Sequence, residues 1–145
     1  MITDKEAAVG RFSVEVDLAN DADLVRVNDG RIAPQQVRRM RLRGAVDSVA
    51  TRLVIPESVA KQLGLEATGT VKVRYADGRT ADRLIVERLR LEYGGRASVF
   101  NAVVEPGRDS VLVGAIVLED LDFLVDCTGQ RLVPRDPTQI VSEVE

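Results

Sequence analysis

Gly44-Ala45-Val46-Asp47-Ser48-Val49-Ala50-Thr51-Arg52-Leu53-Val54-Ile55-Pro56 is the stretch on which the fold of this chain turns. A carboxylate, Asp47, follows Ala45-Val46, precedes a hydroxyl and small side chains, and leads into a second apolar run, Leu53-Val54-Ile55. Apolar residues on both sides set the segment against a core, and burying an unpartnered carboxylate there costs several kcal/mol. Asp47 is therefore hydrogen-bonded, protonated or paired. On this local pattern two roles remain open: a strand-end aspartate accepting turn amides, or a working acid.

Outward from this segment, alternation of period two dominates. Phe12-Ser13-Val14-Glu15-Val16-Asp17-Leu18 alternates as a half-buried strand does, and Met40-Arg41-Leu42-Arg43 leads into Ala45-Val46 in the same way. Val71-Lys72-Val73-Arg74-Tyr75 is followed by the hairpin dipeptide Asp77-Gly78 and a return run toward Leu84-Ile85-Val86. Leu89 to Tyr93, the turn Gly94-Gly95 and Ala97 to Val104 read as a second hairpin. Helical spacing is scarce. Pro56 to Leu63, stopped by Gly64, predicts one short helix, and Ala115 to Leu121, after Gly114, predicts another. Mostly strand with one or two short helices points to an all-β barrel or sandwich. Residues 1–10 are expected to be a flexible lead-in, 11–136 the single domain and 137–145 a flexible acidic tail.

Composition narrows the chemistry. The chain has 145 residues, 45% hydrophobic and 30% charged, with a net charge of -3. With no histidine, Ser-His, Cys-His and His-ligated metal mechanisms are excluded. The lone Cys127 excludes an intrachain disulfide and a cysteine-cluster zinc site, and it has no histidine to activate it. Two tyrosines, three phenylalanines, no tryptophan and a pI near 5.1 argue against a base-stacking nucleic-acid surface. The Arg38, Arg39, Arg41 and Arg43 group reads as the wet face of a strand. No apolar run approaches the ~20 residues of a membrane span, and Met1 to Glu6 lack the order of a secretory signal. The expectation is a cytoplasmic protein with no metal, cofactor, nucleic-acid or membrane partner.

Val46-Asp47-Ser48-Val49-Ala50-Thr51-Arg52-Leu53-Val54-Ile55-Pro56-Glu57, continuing to Leu63-Gly64-Leu65, resembles the retropepsin-like (retroviral-type, clan AA) aspartic proteases. Their signature is Asp-Thr/Ser-Gly-Ala, an apolar run, a proline and a Leu-Gly-Leu helix end. Tyr75-Ala76-Asp77-Gly78-Arg79 is similar to the family's flap hairpin, and Val111-Leu112-Val113-Gly114 to its apolar-Gly element beside the active site. Leu121 to Asp126, then Arg131 to Pro134, resembles the closing strands. The order is right from about Phe12 to Pro134.

The resemblance implies a closed β-barrel-like protomer that dimerises, each chain lending Asp47 to a shared site that hydrolyses a peptide or protein substrate. One carboxylate activates water as a base while the other, protonated, polarises the scissile carbonyl. At ~3 Å and an effective dielectric of ~20, two like charges repel by roughly 5 kcal/mol, so such a pair holds one proton between them. A two-fold axis brings identical residues face to face. Ser48 stands where the family has threonine or serine, to tie the two loops together. Ala50 matches a small residue, and Tyr75, Ala76, Asp77 and Gly78 make the hairpin that closes over peptide. Val113 and Gly114 flank the site. Val49 departs from the pattern, because the family has glycine there. The reading is therefore an active endopeptidase, or alternatively a catalytically impaired peptide-binding or dimerisation module of the same fold. Asp126-Cys127-Thr128-Gly129 imitates an Asp-Thr-Gly motif but lacks the apolar run and helix after it, so Asp126 reads as structural.

Overall fold

The alternating segments form strands that roll into a barrel. The structure is a computed structural model describing residues 11–145, so the expected lead-in over 1–10 lies outside the described residues. In order come β1 (Arg11–Asn20), α1 (Asp21–Asn28), a 3-10 turn (Pro34–Gln36), β2 (Arg39–Asp47), β3 (Val54–Pro56) and α2 (Glu57–Gln62). Then follow β4 (Ala67–Arg74), β5 (Thr80–Tyr93), β6 (Arg96–Glu105), β7 (Val111–Val113), α3 (Ala115–Leu121), β8 (Phe123–Asp126) and β9 (Arg131–Pro134).

Seven strands lie in the order β1-β2-β7-β3-β6-β5-β4, and β1 also pairs with β5. That extra pairing, Leu18 opposite Leu91, closes six strands into a mixed barrel and leaves β4 outside the ring. This is the all-β barrel with short helices that the sequence suggests. β2 runs parallel to β7 and β3 parallel to β6, whereas β1–β2, β4–β5 and β5–β6 are antiparallel. The two runs around Leu84-Ile85-Val86 and Leu89 to Tyr93 are one long strand, interrupted by a register shift at Arg88, whose φ is 62°. The kink turns β5 from its hairpin with β4 toward barrel closure with β1. β8 and β9 pair only with each other.

The core collects the inward residues of each strand, among them Val16 and Leu18, Val46, Leu89 and Leu91, with Val111 and Val113. Val59 and Leu63 from α2 and Val117 and Leu121 from α3 plug the barrel. Among the described residues, no buried side-chain nitrogen or oxygen lacks a hydrogen-bond partner.

The helix α1 is absent from the sequence reading. Its start is nevertheless signalled: Asn20 accepts from the N–H of Asp23 at 3.1 Å, and Asp21 and Asp23 occupy the first turn. Asn20 also donates Nδ2 to the carbonyl of Leu63 at 2.8 Å, joining α1 to the end of α2. Asp23 is buried and accepts from Arg38 at the backbone N–H (3.0 Å), Nε (2.9 Å) and Nη2 (2.9 Å), and from Arg26 at 2.8 Å. Arg38 precedes β2 and is exposed, as the wet arginine face read from the sequence has it, but its guanidinium is committed to Asp23. It lies over Gly64, where φ is 62° and a Cβ would stand 1.9 Å from Arg38 Nη1. Arg41 also belongs to that face, and pairs with Asp17 across the β1–β2 ladder at 3.1 Å.

The Arg38 guanidinium beside Asp23 holds its carboxyl well below the ordinary 3.8, against the opposing effect of burial. Its contribution to stability is therefore complete above about pH 4 and is lost progressively as the pH falls toward the folded-state value. Asp23→Asn is expected to cost about 2–3 kcal/mol at pH 7 in urea unfolding. The gap to wild type should narrow on acidification, and a gap that stays constant down to about pH 2 contradicts this account.

Candidate active site

Chain crossing creates the site. β7 lies between β2 and β3, pairing Val46 with Val113 on one side and Leu112 with Val54 on the other. The loop from Asp47 to Leu53 must therefore arch over the end of β7, and Gly114 is where it passes. A Cβ on Gly114 would sit 2.4 Å from the Arg52 carbonyl oxygen and 2.8 Å from that of Ala50. No side chain fits there.

The first amides of α3 hold the arch. Ala115 N–H donates to the Ala50 carbonyl at 2.7 Å and Ile116 N–H to that of Thr51 at 3.0 Å, so these helix-end donors are satisfied by the loop. On the far side, Val103 N–H donates to the Leu53 carbonyl at 3.0 Å, and the Leu53 side chain is fully buried.

Asp47 ends β2 and is 9% exposed. Its Oδ1 accepts the N–H of Val49 at 3.0 Å and of Ala50 at 3.4 Å. These bonds curl the loop around the carboxylate. Ser48 is exposed, and Val49 projects outward with 90% of its surface accessible. Val49 is not among the positive-φ residues, so this loop follows a backbone path open to a β-branched side chain.

The β4–β5 hairpin stands opposite. Its tip is set by Tyr75 N–H donating to the Arg79 carbonyl at 2.8 Å, Gly78 N–H to the Tyr75 carbonyl at 2.9 Å, and Gly78 at φ 88°. The Asp77 carboxylate accepts from Arg79 at N and Nε, and the backbone N–H bond in particular holds its pKa below the ordinary value. Asp77 therefore organises the turn.

Behind the tip, Tyr75 Oη donates to Glu105 at 2.6 Å, and Arg83 Nε reaches the same carboxylate at 3.0 Å. This bond to Glu105 pushes the Tyr75 hydroxyl pKa up, and Arg83 is raised by the same carboxylate. Arg79 lies 5.2 Å from the Tyr75 ring centroid. The trio Tyr75, Arg83 and Glu105 fastens the hairpin to the end of β6. Only Tyr75 of the three was singled out from sequence, because nothing local marks Arg83 and Glu105, 22 residues apart, as neighbours.

Between loop and hairpin lies a groove of about 510 Å³, lined by Ala50, Thr51 and Arg52 of the loop, Tyr75 of the hairpin and Leu112 of β7. Ala50 and Tyr75 thus share a cleft, whereas Asp47, Ser48, Val49, Ala76, Asp77, Gly78, Val113 and Gly114 do not line it. Val113 is buried beside Gly114 beneath the arch. Asp126 caps the β8–β9 turn, accepting from Gly129 N–H and Arg131 Nε at 2.9 Å each, which together lower its pKa.

A family profile described as aspartyl protease matches residues 25–125, and the chain belongs to that family. Its class is therefore that of the aspartic-type endopeptidases, which are hydrolases. Among solved structures, the EIAV protease complexed with the inhibitor HBY-793 aligns with a TM-score of 0.56 and 16% identity, over 92% of this chain and 99% of that one. This likeness is one of fold. The simian foamy virus (mac) protease aligns at TM-score 0.47 and 16% identity, over 74% of this chain and 91% of that one. No curated protein matches the chain by sequence. Among the described residues, no helix is long and apolar enough to cross a membrane.

If the arch depends on close approach over β7, Gly114→Ala should lower stability by about 2 kcal/mol, because backbone rather than a flexible side chain must move. Thermal unfolding checks this. A melting temperature equal to that of wild type would show that the approach is not tight.

Proposed function

We propose that the chain is an endopeptidase whose working centre is a pair of Asp47 carboxylates, one from each of two copies. The observation that carries this reading is the arch itself, which holds Asp47 at the end of a barrel strand and bonds it to the N–H of Ala50, a residue that lines the neighbouring groove. Water attack on an amide needs a base and an acid together. Within one chain, the carboxylate lining the groove is Glu105, and Tyr75 and Arg83 already engage it. A second copy supplies the missing acid by symmetry. Val49 beside Asp47 is apolar and exposed, and Ser48 is exposed too. In the dimer proposed here a second copy covers Val49, and the Ser48 hydroxyl hydrogen-bonds across the axis.

In this centre the ionised Asp47 takes a proton from water as its oxygen attacks the carbonyl carbon, while the protonated Asp47 donates to the carbonyl oxygen. Breaking the C–N bond then returns a proton to the leaving amine. The β4–β5 hairpin covers the peptide and limits water.

A second reading rests on Val49, which could obstruct substrate where the family has glycine, leaving a peptide-binding module. Its outward course and ordinary backbone favour the hydrolytic reading.

Asp47→Asn is expected to lower kcat about a thousandfold while leaving the melting temperature within a few degrees of wild type. Retained cleavage would overturn the mechanism. Solution mass at micromolar concentration should correspond to two chains, and a persistent monomer that still cleaves peptide would remove the shared centre. A silent wild type that gains cleavage in Val49→Gly would decide for the second reading.

A further inference from the structure

The groove carries an uneven charge. Its lining includes four cationic side chains, Arg52, Lys72, Arg74 and Arg108, against a single carboxylate, Glu105. The carboxylate is already neutralised, since Arg83 bonds both its oxygens at 3.0 and 3.2 Å and Tyr75 donates to it as well. Lys72 is matched by Asp82 at 3.2 Å. Arg108 donates to Ser110 but has no acidic partner among the described residues, and neither Arg52 nor Arg74 has one. Arg52, from the loop after Asp47, and Arg74, from the end of β4, are both exposed and line the groove. Apolar residues line it as well: Val54, Val71, Val73, Val103 and Leu112.

Resting on the peptidase reading of this site, we infer that the groove selects substrate segments in which an acidic side chain is flanked by apolar residues. The apolar residues bury against the valines and Leu112, and the carboxylate meets guanidinium groups that no acid among the described residues satisfies. Arginine suits this role because its planar fork binds a carboxylate through two parallel hydrogen bonds. A net charge of -3 on the whole chain would disfavour acidic peptides in general, so the cationic groove is a local exception to the molecule's overall sign. The acidic position lies within a few residues of the scissile bond. Ala50 both lines the groove and donates its N–H to Asp47, and an extended peptide advances about 3.3 Å per residue.

The test uses the full chain and peptide sets identical except for Glu, Gln or Lys at one position, scanned along an apolar segment. Cleavage by the wild type is measured as kcat/KM. In parallel, binding of the same peptides to the Asp47→Asn protein is followed by fluorescence anisotropy. At one position Glu should exceed Gln by about fivefold and Lys by more, with the preference shrinking as salt is added. The Arg52→Gln, Arg74→Gln protein should lose the preference, while Arg52→Lys should keep part of it. Cleavage that ignores the charge at every position overturns this inference and leaves the peptidase reading standing. Charge-selective binding without cleavage in the wild type does the reverse. Binding to no peptide, or a Glu preference that survives loss of both arginines, also overturns the inference.

Discussion

The contact between Gly114 and the carbonyls of Ala50 and Arg52 is the constraint on which the other features of the site depend. It lets the chain leave the sheet at Asp47, cross the end of β7 and re-enter as β3 without a gap. Because the crossing is so close, the first amides of α3 can reach the loop's carbonyls and complete their own hydrogen bonding. One missing side chain therefore settles strand order, helix anchoring and the placement of a carboxylate together.

The barrel around this crossing is held by two kinds of interaction. Apolar residues from eight strands and two helices supply the nonspecific part, at about 25 cal/mol per Å² removed from water. Polar groups select one arrangement among those that burial would allow. Asn20 and Asp23 lock α1 to α2 and to Arg38, and Glu105 locks the hairpin to β6. Leaving buried Asn20 or Asp23 without a partner would cost more than the bond itself contributes. The polar contacts thus act on specificity of fold as much as on its depth.

Local pattern revealed most strands, since alternation shows wherever one face is wet, as in Phe12 to Leu18 and Val71 to Tyr75. The turns at Asp77-Gly78 and Gly94-Gly95 were legible for the same reason: both need backbone conformations that glycine supplies. What could not be read was pairing at a distance. Nothing near Leu18 announces Leu91, and the parallel contact of Val46 with Val113 joins segments far apart in the chain. The helix α1 escaped because Leu24, Val25 and Val27 do not trace a clean apolar stripe, although its acidic first turn was visible. Arg38 was read by its neighbours rather than by its partner, 15 residues earlier. The candidate site was legible as a motif through the family resemblance, but its groove and the Tyr75–Glu105–Arg83 fastening exist only in three dimensions.

The far end of α3 is tied as firmly as its start. Asp122 closes the helix in a left-handed conformation, φ 61°, and its carboxylate accepts from Arg135 Nε and the N–H of Val141. Arg96 reaches the carbonyls of Leu121 and Asp122 and extends to those of Asp136 and Gln139. The helix is thus a strut bonded at both ends, with the arch that carries Asp47 at one footing and the C-terminal strap at the other. Trimming or modifying the strap would loosen a brace whose opposite end carries the loop, so the last dozen residues belong mechanically to a site they never touch.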